Sequence, residues 1–257
     1  MKKNKLKVGL FSLTGCEGCY FALIDKAVEF LHLSQEVVIK RFCLFEESEI
    51  PDNEFYDLAF VEGSPLTTAN FEFLQDLRMR SELLVALGSC ADMGGICHLK
   101  NYGDKEKMHD FVYGAKNKHE NFSVLPLREV VKIDFNIPGC PINAEEFIRF
   151  VRQVIIGNPQ KVWSENPVCI ECSAHGYECQ LQKGKICLGP ITVGGCDAVC
   201  LKSKQGCYGC RGLLEDAEVG NLVKVLRENN SDRAISEVLE IFGIKESINE
   251  SNKHENS

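Results

Sequence analysis

Along the first 157 positions, short apolar runs alternate with stretches of helical period. The runs KLKVGLFSL (5–13), EVVIKRFCL (36–44), YDLAFV (56–61), ELLVAL (82–87) and VVKIDF (130–135) read as strands. After the first run, Tyr20, Leu23, Ile24, Ala27, Val28 and Leu31 recur at the spacing of one helix face, with Asp25, Lys26 and Glu29 opposite. Thr68 is placed to cap a second helix reaching about Arg80, with Phe71, Leu74 and Leu77 inward. Residues 105–117 form a third, and Asn143 caps a fourth through Ile156, carrying Phe147, Ile148, Val151, Val154 and Ile155. Strands alternating with helices imply an α/β fold with a mostly parallel sheet covered on both faces. In such a sheet the loops leaving the carboxyl ends of the strands gather at one edge, where ligands bind.

Beyond residue 157 the pattern changes. NPQKVWSENP (158–167) reads as a linker, and no helical or alternating apolar pattern runs from Cys169 to Cys210. Helical stretches return at 215–229 and 232–242, and the polar tail Lys245–Ser257 is expected to be disordered. The expected organisation is 1–157, an α/β domain; 158–243, a second domain; and 244–257, a tail.

Composition narrows the partners. With 257 residues and 44% hydrophobic content, the chain is long enough for one sizeable domain and an appendage. A formal charge of −8 and the lack of a long basic run argue against nucleic acid as a partner. No apolar run approaches the roughly 18 residues of a membrane span. The start MKKNKLKVGLFSLTGC imitates a secretion signal, but its apolar segment Val8–Leu13 is short and contains Gly9 and Ser12. A signal core needs about seven to fifteen apolar residues, so a buried strand accounts for it better and a reducing compartment is expected.

Cysteine changes the picture most. Eight of the 14 cysteines fall at 169, 172, 179, 187, 196, 200, 207 and 210, with seven glycines among them. Few side chains in that segment could offset the backbone entropy lost on ordering, so something other than an apolar core must fix it. Disulfides, zinc and iron–sulfur clusters are the candidates. The eight divide into two sets of four, Cys169, Cys172, Cys179 and Cys187, then Cys196, Cys200, Cys207 and Cys210, with a C-x2-C pair opening the first and closing the second. Four thiolates are what one cluster needs, and two complete sets back to back favour iron–sulfur over zinc. A third set comes from the strand-end loops: Cys16 and Cys19 after the first strand, Cys90 after the fourth, Cys140 after the fifth. Each alone reads as a small buried hydrophobe; four beside glycines at one sheet edge read as a metal site. Cys43 reads as core packing, and Cys97 as a fifth thiol near that edge with no vacancy to fill; His98 is a weaker ligand candidate.

These motifs resemble one family. T-G-C-E-G-C (14–19), V-E-G-S (61–64), L-V-A-L-G-S-C-A (84–91) with Gly94-Gly95, P-G-C-P (138–141), P-V-C-I-E-C (167–172), C-L-G-P-I-T-V-G-G-C (187–196) and G-C-Y-G-C-R-G (206–212) are similar to the small subunits of cytosolic nickel–iron hydrogenases. Among them, the chain looks like the sulfhydrogenase delta subunits and the small subunit of the deazaflavin-non-reducing hydrogenase. The resemblance spans about residues 6–215. It implies a flavodoxin-like doubly wound parallel sheet followed by a small irregular iron–sulfur domain. It also implies three 4Fe–4S clusters: proximal on Cys16, Cys19, Cys90 and Cys140, distal on Cys169, Cys172, Cys179 and Cys187, medial on Cys196, Cys200, Cys207 and Cys210. The implied function is electron relay in the cytoplasm between a hydrogenase large subunit, where dihydrogen is split, and a flavin/NAD(P)-binding or iron–sulfur acceptor subunit. No catalytic residue is implied, and Glu62 matches a position beside the proximal cluster. Membrane-bound members carry an export signal, a histidine as first distal ligand and a proline in the medial set; this chain has Cys169 and Cys200 there. Relatives in the respiratory complex I line pair adjacent cysteines near the proximal site and lack the second domain. A zinc-stabilised interaction module and a stand-alone ferredoxin-like carrier are the alternatives.

Overall fold

The computed structural model describes residues 5–45, 54–246 and 248, and these fall into two units, Met1–Val162 and Trp163–Ser257. The first unit runs β1 (Lys7–Ser12), α1 (Gly18–Asp25), α2 (Ala27–Glu36), β2 (Val38–Phe42), β3 (Tyr56–Glu62), α3 (Thr68–Met79), β4 (Ser81–Leu87), α4 (Gly88–Met93), α5 (Lys105–Tyr113), β5 (Phe135–Ile137) and α6 (Ala144–Ile155). The five strands form one sheet in the order β2-β1-β3-β4-β5, every neighbouring pair parallel. This is the flavodoxin-like order, in which the chain changes winding direction between β1 and β3 and leaves a crevice at their carboxyl ends.

Strand alternation explains how both faces are covered. On one face Phe60 packs against Phe147 and Phe150 of α6, with ring centroids 4.5 and 6.2 Å away. On the other, the neighbours Ala59 and Val61 join Leu74 and Leu77 of α3, Leu84, Ala86 and Phe11 in one buried cluster. Residues one apart on a strand point to opposite faces, so a run apolar at every position suits a strand buried on both. Tyr20 on α1 is fully buried, and its hydroxyl donates to the carbonyls of Phe11 (2.5 Å) and Phe60 (3.3 Å). That pair of bonds ties the first helix to β1 and β3 directly below the crevice.

Several elements differ from the expectations. The helix after β1 is two helices that break at Lys26 (φ −102°, ψ 44°). Tyr20 and Leu23 are buried as expected, whereas Val28 and Leu31 are 64% and 60% exposed. A helical period counted across the break assigns those two the wrong face, and Leu33 is buried instead. The cap of α3 is Thr67, whose hydroxyl accepts from the Asn70 amide at 3.2 Å, one residue before the expected Thr68. The helix expected over 105–117 ends at Tyr113. The fifth strand lies at Phe135–Ile137 and not at 130–135. Val130, Val131 and Ile133 are apolar because they pack irregularly against the α3-side core.

The second unit contains α7 (Val168–Ala174), α8 (Val199–Lys202), α9 (Val219–Arg227) and α10 (Asp232–Glu240). Its buried cluster around the cysteine-rich segment consists of Val168, Cys187, Ala198, Leu201 and Cys207, with Cys172, Tyr177, Leu181, Cys196 and Cys200 packed on it. Half of that cluster is cysteine. Lys245 is hydrogen-bonded to Ser236 (3.0 Å) and Glu240 (2.7 Å); most of the tail expected to be disordered, 247 and 249–257, lies outside the described residues. Among the described residues no helix is long and apolar enough to cross a membrane.

Asp134 fixes the entry to β5. Its Oδ2 accepts from the Leu84 amide (2.9 Å), and Arg78 pairs with it from α3. Burial pushes its carboxyl up, but the Leu84 amide and Arg78 outweigh this and hold it below the ordinary carboxylate range. A carboxyl with a depressed folded pKa stabilises the fold above its unfolded value, about 3.9, and loses that contribution as pH falls through the folded one. Asp134→Asn should therefore cost about 1–3 kcal/mol at neutral pH by weakening charge-assisted bonds. In chemical denaturation the gap between variant and wild type should narrow below about pH 4; a gap independent of pH would remove the charge from the explanation.

Candidate metal centres

In the first unit, the carboxyl ends of β1, β4 and β5 deliver thiols to the crevice. Cys16 is exposed in the loop after β1, and Cys19 is buried in the first turn of α1. Cys90 is buried on α4, immediately after β4. Cys140 is exposed, in a glycine-kinked turn that Ser89 holds by donating its amide to the Gly139 carbonyl at 2.8 Å. Ser64, after β3, donates its hydroxyl to the Cys90 carbonyl at 2.6 Å and so fixes α4 against the neighbouring loop. The four thiols act on one another: Cys19 feels Cys140 and Cys16, and Cys90 feels Cys140 and Cys19. Cys16, Cys90 and Cys140 thus all lie within electrostatic reach of Cys19.

Glycine leaves room for the sulfurs. Gly88 has φ +81°, and a Cβ there would collide with the Cys19 sulfur. Gly95 has φ +55°, and a Cβ there would stand 2.8 Å from the Cys90 sulfur. Positive φ and the space needed by sulfur both call for glycine at these two positions.

The electrostatics of this place are adverse to bare thiolates. Burial raises the Cys19 thiol, and the Glu62 carboxylate and the other thiols raise it further. Cys90 is raised chiefly by its hydrogen bond with Cys97 and by burial, and the same bond lowers Cys97. Glu62 is 1% exposed at the end of β3; its Oε1 lies 3.5 Å from the Cys19 amide, and its Oε2 is buried without a hydrogen-bond partner. Burial raises its carboxyl as well. Several acidic groups, one with an orphaned buried oxygen, share a site that holds them in their protonated, neutral forms and that a bound cation would let ionise. The donor set therefore fits a metal-containing group. Cys97, expected as a spare thiol, is a direct neighbour of Cys90. His98 is buried edge-on to Tyr102 at 5.4 Å. Cys43, just past β2, is half-buried, and burial pushes its thiol up to about 11.

In the second unit the first set of four cysteines lies within reach of one another's charge, while the second set is linked only in pairs. Cys169 feels Cys187, Cys172 and Cys179, and Cys172 feels Cys187 and Cys179, so the first set closes on itself. In the second set Cys196 feels Cys200, and Cys207 feels Cys210. Cys187 acts on both Cys200 and Cys207, and its sulfur accepts the Cys207 amide at 3.2 Å. Among the described residues no three His, Cys, Asp or Glu side chains are close enough to hold a single metal ion. No disulfide joins any of the 14 cysteines.

Two residues inside the quoted motifs, but assigned no role by the sequence reading, organise this segment. Glu171, between the first two cysteines on α7, accepts the Gly195 amide on Oε1, and on Oε2 the Ala198 amide (3.1 Å) and the Cys196 thiol (3.8 Å). Asp197 and Ala198 have φ of +59° and +48°, a conformation that needs such a restraint in residues with side chains. Arg211 is 2% exposed and donates Nε to the Gly194 carbonyl at 2.8 Å. A carboxylate and a guanidinium thus hold residues 194–198 from two sides. Sequence reading misses them because each is an ordinary charged residue whose partner lies far along the chain.

Comparisons with known proteins place the chain in a family. The family described as NADH ubiquinone oxidoreductase, 20 kDa subunit, matches residues 16–154. The chain is 36% identical over 239 residues to the Sulfhydrogenase 2 subunit delta of Pyrococcus furiosus, covering 92% of this chain and 99% of that one. It is 26% identical to a subunit of the F420-non-reducing hydrogenase of Methanothermobacter marburgensis, over 83% and 81% of the two chains. Among solved structures, a chain of an NAD+-reducing [NiFe]-hydrogenase in the H2-reduced state superposes with a TM-score of 0.54 at 28% identity, over 60% of this chain and 93% of that one. A chain of the Ni-Fe-Se hydrogenase of Desulfomicrobium baculatum, at 16% identity and a TM-score of 0.55, shares the fold over 84% of this chain and 97% of its own.

Glu171→Ala should release the Gly195 and Ala198 amides and cost the second unit roughly 3–6 kcal/mol, two bonds to a charged acceptor at about 1.5–3 kcal/mol each. Hydrogen exchange at those two amides should accelerate accordingly. Unchanged protection there would mean that the turn is held by something else.

Proposed function

The chain belongs to the NADH ubiquinone oxidoreductase 20 kDa subunit family and is a small, electron-transfer subunit of a nickel–iron hydrogenase, and from that premise we propose that it relays electrons through three 4Fe–4S clusters. Cys16, Cys19, Cys90 and Cys140 hold the proximal one. Cys169, Cys172, Cys179 and Cys187 hold the distal one, and Cys196, Cys200, Cys207 and Cys210 the medial one. The observation that carries the reading is the convergence of four thiols from three strand ends, in a crevice where glycines stand at positions whose side chains would crowd the sulfurs. A 4Fe–4S cluster supplies one-electron transfer at a potential set by its surroundings.

The residues of this chain do the rest by position. Burial keeps water from Cys19, Cys90, Cys187 and Cys207. An amide aimed at a sulfur, as Cys207 N–H is at Cys187, stabilises the more negative, reduced state and is a means of tuning potential. Glu62 works in the opposite sense beside Cys19, because a carboxylate there disfavours added negative charge. The chain supplies neither nucleophile nor general acid to dihydrogen, whose cleavage belongs to a large subunit facing the proximal set. The acceptor is a flavin/NAD(P)-binding or iron–sulfur subunit. Fourteen cysteines with no disulfide among them suit a reducing compartment, and a cytoplasmic location goes with this reading.

Co-expressed with its large subunit, the protein should be brown and contain about 12 iron atoms, four for each four-thiolate cluster, with matching acid-labile sulfide. Zinc in place of iron would overturn the reading. Cys90→Ala should lose about four iron atoms and with them the hydrogen-dependent reduction of the remaining clusters, whereas Cys43→Ala should keep its full iron.

Cys200→Pro tests the division of the second unit's cysteines. Three thiolates would remain at the medial site, so iron should fall by about one atom and an oxidised-state paramagnetic signal of a 3Fe–4S centre should appear. Undiminished iron with no new signal would remove Cys200 from the ligand set.

A further inference from the structure

The second unit carries a lysine face that holding clusters does not require. Residues 176–206 contain four lysines, Lys183, Lys185, Lys202 and Lys204, against two carboxylates, Glu178 and Asp197, in a chain whose net charge is −8. All four lysines are exposed. Lys183 pairs with Glu178, and Lys185 Nζ donates to the Lys204 carbonyl at 3.0 Å. Lys183, Lys204 and Lys185 all act on the Glu178 carboxylate. Asp197 is engaged elsewhere, 2.6 Å from His175. Lysines from two separate segments therefore stand together, Lys183 on the carboxylate next in sequence to Cys179 and Lys185 on the backbone of Lys204. Within its set Cys179 is exposed while Cys187 is buried. The exposed member of the set is thus the neighbour in sequence of the carboxylate that Lys183 pairs with.

We infer that this lysine face is the docking surface for the protein that exchanges electrons with the chain, and that this partner presents a carboxylate-rich face around its own redox centre. The inference rests on reading Cys169, Cys172, Cys179 and Cys187 as ligands of one cluster. Electron transfer slows steeply with distance, so a partner must come up against the open side of the set. One electron leaves the reduced chain and the oxidised partner takes it up, with no bond made or broken. Opposite charges around that contact orient the encounter and raise its rate by about 10- to 1,000-fold at low salt, an advantage lost as salt rises. Lysines gathered against the sign of the whole chain, where a thiol meets solvent, supply that field.

The test uses the chain purified with its large subunit, dihydrogen as reductant, and an acidic two-cluster ferredoxin as probe. In the wild type, ferredoxin reduction should fall about tenfold or more as ionic strength rises from low to well above physiological. K183E/K185E/K204E should reduce ferredoxin at least tenfold more slowly at low salt, with the salt dependence reversed, while iron content and reduction of the small dye benzyl viologen stay at wild-type values. The neutral triple K183A/K185A/K204A should lie between the two and guards against misfolding of the reversed variant. Ferredoxin reduction in both variants within twofold of wild type at low salt would overturn the proposal. Ferredoxin binding, measured separately at low salt, needs no electron transfer. Weaker binding in the triple variants sustains the docking face, and equal binding sinks it, whatever the iron analysis says of the cluster itself.

Discussion

A thiolate buried among other thiolates and carboxylates is unstable without a cation, and the candidate sites of this protein are built on that constraint. Cys19, Cys90 and Glu62 press their negative forms together at the end of a hydrophobic sheet. Nothing in the packing of the first unit requires this. Its stability comes from Phe60, Phe147, Phe150, Leu74 and Leu77 on the two faces of the sheet, and the thiols lie beyond the strand ends. The sheet core is thus separate from the thiols, which burial keeps protonated until a positively charged group binds them. Binding such a group then releases the protons that burial keeps on the sulfurs.

The second unit inverts this relation. Half of its buried cluster is cysteine, so the groups that would take metal are the groups that would otherwise form a core. Glu171 and Arg211 hold the 194–198 turn by charge-assisted bonds to backbone, a device suited to a segment with little apolar surface to bury. The fold of this unit and its cofactor content are consequently hard to separate, whereas in the first unit they are distinct.

Most of the first unit is legible in the sequence because its signals are local. The apolar runs of β1, β3 and β4 and the periodic face of α6 each declare themselves within a dozen residues. Legibility fails where a long-range contact decides. The break at Lys26 turns Val28 and Leu31 outward, and no residue near it is a helix breaker. Val130, Val131 and Ile133 imitate a strand because they pack on a core assembled from other elements. The grouping of Cys16, Cys19, Cys90 and Cys140 is readable, since a parallel sheet must bring strand-end loops together. Contact between Cys97 and Cys90 is not, because it depends on the path of the 3₁₀ turn at Gly95–Tyr102. Glu171 is invisible for a related reason: its three partners lie 24 to 27 residues away.

Cys187 belongs by spacing to the first set, yet its sulfur accepts the Cys207 amide and acts on Cys200 and Cys207 of the second. If each set holds one cluster, as proposed, this shared sulfur couples the two in assembly. Filling the first set fixes Cys187, and with it the backbone from which Cys207 projects, so the second set is partly ordered before it receives anything. Stripping one set would loosen the other. A half-filled second unit is then a short-lived species, and maturation of this region should run close to all-or-none.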